Sequence, residues 1–263
     1  MLRFATFTAA CFFLFADQLP GQEPRQVKDK DLNTYLAGVT ERGRNLYAYD
    51  QAAWHGTDAF FALHPETNGL ARYICIKTST GWEVVFPKWN EMHDQLLVAY
   101  EATETGAPET YTAVKFDPPR DGPDDLVAKE RALELAIGDF QGEKRPYNTA
   151  ILPVGDGNLY VYIYPGQVKD NVWPLGGDVR YEISADGKSI IEKRQLHKTI
   201  LDMTFDPAQH PVAGVHNHVI SDVPEDTDVL YVLTRRPPMP EYIGAGKRLF
   251  VVNTDGGIAI SKK

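Results

Sequence analysis

Cysteine is nearly absent from the chain, with two in 263 residues, Cys11 and Cys75. Cys11 sits in an apolar N-terminal stretch that reads as removable, which leaves Cys75 alone in Tyr73-Ile-Cys-Ile76. A disulfide framework within one mature chain is excluded, as is a zinc finger built on cysteine pairs. Basic charge is also scarce: 27 Lys and Arg stand against 36 Asp and Glu, a formal net charge of −9. That balance argues against a general nucleic-acid binder and against adhesion to anionic membranes. A small molecule, a peptide or another protein is the partner it leaves. Long hydrophobic runs are missing too. Arg3 is followed by an apolar stretch from Phe4 to Ala16, shorter than the ~20 residues that span a bilayer but suited to a signal peptide. Residues 1–21 are therefore expected to be a cleaved signal, and the protein to be exported to the periplasm or outside the cell with no membrane span left. There is no Gly-rich phosphate loop and no Gly-x-Ser-x-Gly elbow, so two common enzyme classes lose support.

What remains is an ordinary globular composition, 43% hydrophobic, enough for a substantial core. Apolar residues at helical spacing predict a helix from Leu32 to Leu46, capped by Asp31, and a second one over Tyr47 to Leu63 after a break at Gly56. From Ala71 the period changes to two. Arg72–Lys77 and Trp82–Phe86 predict a hairpin closed by Pro87-Lys-Trp89, with further strands at 96–102 and 110–116. Asp117-Pro-Pro-Arg-Asp-Gly-Pro123 is the strongest breaker, and a soft boundary between a part 22–122 and a part 123–263 is placed there. An amphipathic helix over Leu126–Ile137 follows, ended by Gly138. Strands at 147–154 and 158–164, then 178–184 and 188–194, predict two more hairpins. The whole reads as α+β, a mainly antiparallel sheet of hairpins with flanking helices and no regular β-α-β alternation.

One stretch names a chemistry: Val212-Ala-Gly-Val-His-Asn-His-Val-Ile-Ser-Asp-Val-Pro-Glu-Asp-Thr-Asp228. If its apolar entry is a strand, side chains alternate faces, so His216 and His218 project the same way. Asp228 then supplies a carboxylate from the start of a helix expected over Asp228–Arg236 with Thr227 as cap. Two imidazoles and a carboxylate would hold zinc and leave one tetrahedral position for water. Asp222 and Asp226 compete with Asp228, while His197 and His210 are alternative ligands that read more readily as structural. The tyrosine-rich strand 158–164 and the tryptophans are candidates for a ligand groove as well as for core.

The order from Val212 to Ile260, strand, His-x-His, loop, aspartate at a helix start, then strand and hairpin, resembles the metal-binding half of JAMM/MPN-type (JAB-domain) zinc isopeptidases. The resemblance implies that His216, His218 and Asp228 hold zinc. It also implies an upstream glutamate that moves the water proton and a serine that stabilises the oxyanion. Glu225 stands at the serine position, and Val219 replaces the proline usual after the second histidine. For the water-activating carboxylate the candidates are Glu225 and Glu182, with Asp178 on the same upstream strand. Two functions follow as expectations: a zinc-dependent hydrolase of amide-type bonds, or a non-catalytic exported module that binds a ligand or partner.

Overall fold

A computed structural model describes residues 22–107, 109–204 and 211–261; the expected signal at 1–21 and His210 lie outside the described residues. Among those described, three helices and fourteen mostly antiparallel strands give the expected α+β class. No helix among them is long and apolar enough to cross a membrane.

Helix α1 (Leu32–Phe61) is a single element of 30 residues, about 45 Å long. The break expected at Gly56 does not occur, because this glycine serves close approach. A Cβ there would stand 2.5 Å from Val84 Cγ2, so the bare backbone lets the helix lie directly on the sheet. Gly43 does the same against the third helix, where a Cβ would come within 2.4 Å of Val229 Cβ. The buried positions Leu36, Val39, Leu46, Tyr49, Ala53 and Phe60 follow the helical period that the sequence displays.

Strands β1 (Ile74–Lys77), β2 (Trp82–Trp89), β3 (Leu96–Glu104) and β4 (Tyr111–Asp121) form one antiparallel sheet in chain order. Its first hairpin is the expected one, but two expected stops are overridden. β2 continues through Pro87 to Trp89 by a register shift between Phe86 and Pro87. β4 continues through Pro118 and Pro119 to Asp121, and its register shifts opposite the stretch between Val98 and Tyr100. A bulge leaves residues unpaired, which is how a strand tolerates proline's missing N–H. Helix α2 (Leu126–Asp139) runs one residue past Gly138, whose absent side chain meets only open space.

A second sheet has the order β5-β6-β8-β9, from β5 (Tyr147–Pro153), β6 (Leu159–Pro165), β8 (Val179–Ile183) and β9 (Ile190–Gln195). Between them β7 (Val172–Leu175), which the sequence did not reveal, pairs with β10 (Leu201–Thr204). The last sheet takes β11 (Gly214–His218), β12 (Glu241–Ala245), β13 (Arg248–Val252) and β14 (Ile258–Ile260). β11 runs parallel to β12, a pairing that needs a crossover, and α3 (Asp226–Thr234) supplies it.

Two apolar clusters result. The larger joins α1, α2 and the first two sheets, drawing on both sides of 118–123, as Val84 and Leu133 show. The smaller holds the first turns of α1, Trp173 and Leu175 of β7, α3 and the last sheet.

Candidate metal centre

β11 alternates as expected. His216 is buried, Val215 is 67% exposed on the other face, and the side chains of His216 and His218 are both nearly covered. Gly214 opens the strand for a steric reason: a Cβ there would sit 1.9 Å from Glu241 Oε2, in the space of a buried ion pair. α3 starts two residues earlier than expected, at Asp226, with Glu225 rather than Thr227 as its cap. Asp228 reaches back to accept the Glu225 N–H on Oδ2 at 2.7 Å, a capping-box arrangement. That bond aims Oδ1 at the histidines.

His197, from the segment after β9, completes the group. Ligand atoms of His197, His216, His218 and Asp228 all lie within 4.8 Å of one another. Asp228 Oδ1 is 3.0 Å from His197 Nε2, 3.1 Å from His216 Nε2 and 3.3 Å from His218 Nε2. The Nε2 atoms of His197 and His218 are 2.9 Å apart. Four ligands at ~2.0–2.1 Å in a tetrahedron have edges of roughly 3.3 Å, close to this spacing. Two ring nitrogens so near can share one proton at most. A cation satisfies them all. These four residues could hold a metal ion.

Each outer ring nitrogen has its own acceptor. His218 Nδ1 donates to the Val223 carbonyl at 3.0 Å, His197 Nδ1 to Asp178 at 2.8 Å, and His216 Nδ1 to Glu241 at 2.8 Å. Carbonyls and carboxylates only accept, so each ring keeps a proton on Nδ1, and Nε2 is the atom that faces inward and is left to bind a cation. Glu241 pairs in turn with Arg235, which also donates to the carbonyls of Met239 and Pro240. Burial alone would lower the His216 pKa, but hydrogen bonds to Asp228 and Glu241 lift it to about 9. Burial opposes the charge on His197 as well, and Asp178 and Asp228 outweigh it, holding that ring well above the usual histidine range. Asp228, which burial would raise, is held well below the carboxylate range by His218 and His197. The setting favours positive charge.

Of the carboxylates expected to activate water, Asp178 stands behind the group on His197 Nδ1, and Glu225 and Glu182 do not join it. Glu225 is fully buried with its carboxylate on Arg194 at 2.7 Å and the Tyr35 hydroxyl at 3.3 Å. Glu182 lies on β8 and accepts from Asn158 at 3.0 Å. The competitors of Asp228 are occupied too. Asp226 is buried between Arg180 and Arg42 with the Tyr162 hydroxyl, and Asp222 takes the Val27 N–H and faces Arg248. A small cleft of about 90 Å³ reaches the three histidines, bordered by Gly176, Lys198 and Asn217.

The sequence held one signal for His197 that motif spacing hides. In the β8–β9 hairpin, the Leu196 N–H bonds the Asp178 carbonyl, so pairing brings Asp178 beside His197. A hairpin register, rather than a motif, locates the fourth ligand. No family model matches the chain, and no curated protein or solved structure does.

Proposed function

We propose that the protein is an exported zinc-binding module in which His197, His216, His218 and Asp228 supply all four positions of a tetrahedral site. The observation that supports this is the double shell: four inward atoms at tetrahedral spacing, each ligand fixed by an outer partner. Imidazole and carboxylate donors in that geometry suit zinc. With four protein ligands the ion is closed to water, and every carboxylate near it is held by a histidine, an arginine or a helix N-terminus. The ion then acts as a clamp joining β9, β11 and α3. Export is supported by the basic residue and short apolar stretch at the N-terminus. The test is elemental analysis of the mature protein: close to one zinc per chain is expected, stripped by His216→Ala with His218→Ala. Zinc retained by that double variant would end the proposal.

A hydrolase reading is favoured by one observation, the cleft that reaches the histidines, together with the JAMM-like order of residues. In it His216, His218 and Asp228 hold the ion, His197 leaves one position to water, and Glu225 or Glu182 moves the proton on release from its present partner. His197→Ala separates the two. The four-ligand site loses its zinc, whereas the hydrolase keeps zinc and changes its rate on amide or isopeptide probes.

A further inference from the structure

Away from the metal centre, a cavity of about 420 Å³ lies between α1, β6, β7 and α3. Aromatic rings from Trp54, Tyr73, Tyr164, Trp173 and Tyr231 contribute to its wall. Its charged lining is acidic throughout, Asp50, Asp58 and Asp178, with no Lys, Arg or His among the lining residues. Asp178 is engaged with His197, and Asp58 is exposed. Asp50 stands differently. Its Oδ1 accepts from the Tyr164 hydroxyl at 2.7 Å and its Oδ2 lies 3.5 Å from the Gln51 amide, and no basic side chain pairs with it among the described residues. Asp50 is half-buried, and carboxylates withdrawn from water are ordinarily paired with a cation; the fully buried Asp226, Glu225 and Glu241 each have an arginine.

We propose that this cavity binds a small organic cation, with a primary ammonium or guanidinium group against Asp50 and a flat apolar body between the aromatic rings. A desolvated carboxylate gives a charge-assisted hydrogen bond to such a group, and ring faces attract the cation. Burial holds the Asp50 carboxyl above its usual range against the hydrogen bonds from Tyr164, Gln51 and Asn148, a strain that an arriving cation relieves. Anions meet an all-acidic lining. Trp54, 59% exposed, is a large ring left in solvent at this cavity, where a bound apolar body would cover it. The ligand meets Asp50 and not the four metal ligands, while Asp178 and Thr227, which also line the cavity, contact His197.

Titration calorimetry on the zinc-loaded mature protein tests this with phenethylamine and agmatine as cations, 2-phenylethanol as the neutral counterpart and 3-phenylpropionate as the anion. Phenethylamine should bind at least about tenfold more tightly than the alcohol, a difference of about 1.4 kcal/mol, and the propionate should give no heat. Asp50→Asn should erase the preference for charge while zinc content stays unchanged. Trp54→Ala, at an exposed position, should weaken the amine several-fold and guards against a misfolded Asp50 variant. The proposal is overturned if neither cation binds at millimolar concentration, if amine and alcohol bind equally, or if a folded, zinc-replete Asp50→Asn keeps full amine affinity.

Discussion

At the scale of single residues, the centre depends as much on the groups behind the ligands as on the ligands. His197 holds its inward nitrogen because Asp178 takes the proton on the other side. Asp178→Asn should therefore lower zinc affinity by about 10–100-fold, the usual cost of losing such a partner, with circular dichroism unchanged; competition against a chromogenic chelator measures it. Glu225 carries a different expectation. Glu225→Gln leaves Arg194 buried without its counter-charge, and breaking a buried pair from one side costs about 3–5 kcal/mol. A urea melt that shows no loss would mean the Arg194 contact is not formed. Asp50 gives a pH dependence. Its folded pKa lies above its unfolded one, so charging it opposes folding, and its favourable contribution is lost as pH rises through the folded value. Asp50→Asn should gain stability over the natural protein as pH rises above the ordinary aspartate value of about 3.9 and converge with it in more acid solution; melts on both sides of that value decide.

At the scale of elements, α1 shows where local preference and packing part. Glycine in a helix interior is destabilising by up to ~1 kcal/mol relative to alanine, so Gly56→Ala would stabilise a helix that needed only propensity. Here the new methyl would meet Val84 at 2.5 Å, and overpacking costs about 1–3 kcal/mol. The variant is expected to unfold at lower urea; a gain in stability would mean that α1 does not rest on the sheet there. The strands through Pro87 and Pro118 teach the same point. Proline removes one donor, and a register shift beside it lets pairing continue. α3 starts two residues before the position the sequence predicts, because Glu225 and Asp228 close a capping box around its first turn and Arg42 and Arg180, from elements far away in sequence, hold Asp226 buried there.

At the scale of the whole molecule, α1 is shared by both apolar clusters, and the candidate metal centre sits where the last sheet, α3 and the segment after β9 meet. Zinc bound only by the folded state stabilises by RT ln(1 + [L]/Kd), about 4 kcal/mol at a thousandfold excess over Kd. Chelation should thus lower the melting temperature by many degrees, and zinc should restore it. An unchanged melt after verified zinc removal would refute the clamp.

The pairing of His216 with His218 was legible from the chain alone, because a strand's period of two is a property of backbone geometry and needs no neighbour. Asp228 was legible as well, since an acid early in a helix is local chemistry, and so were the hairpins with Gly turns and the α+β class. The choice of His197 among the alternative ligands, the locking of Glu225 on Arg194, and the aromatic cavity around Asp50 were decided only in three dimensions. Each depends on which strands lie side by side and on which buried charges meet, and those meetings join residues too far apart along the chain for any local pattern to record.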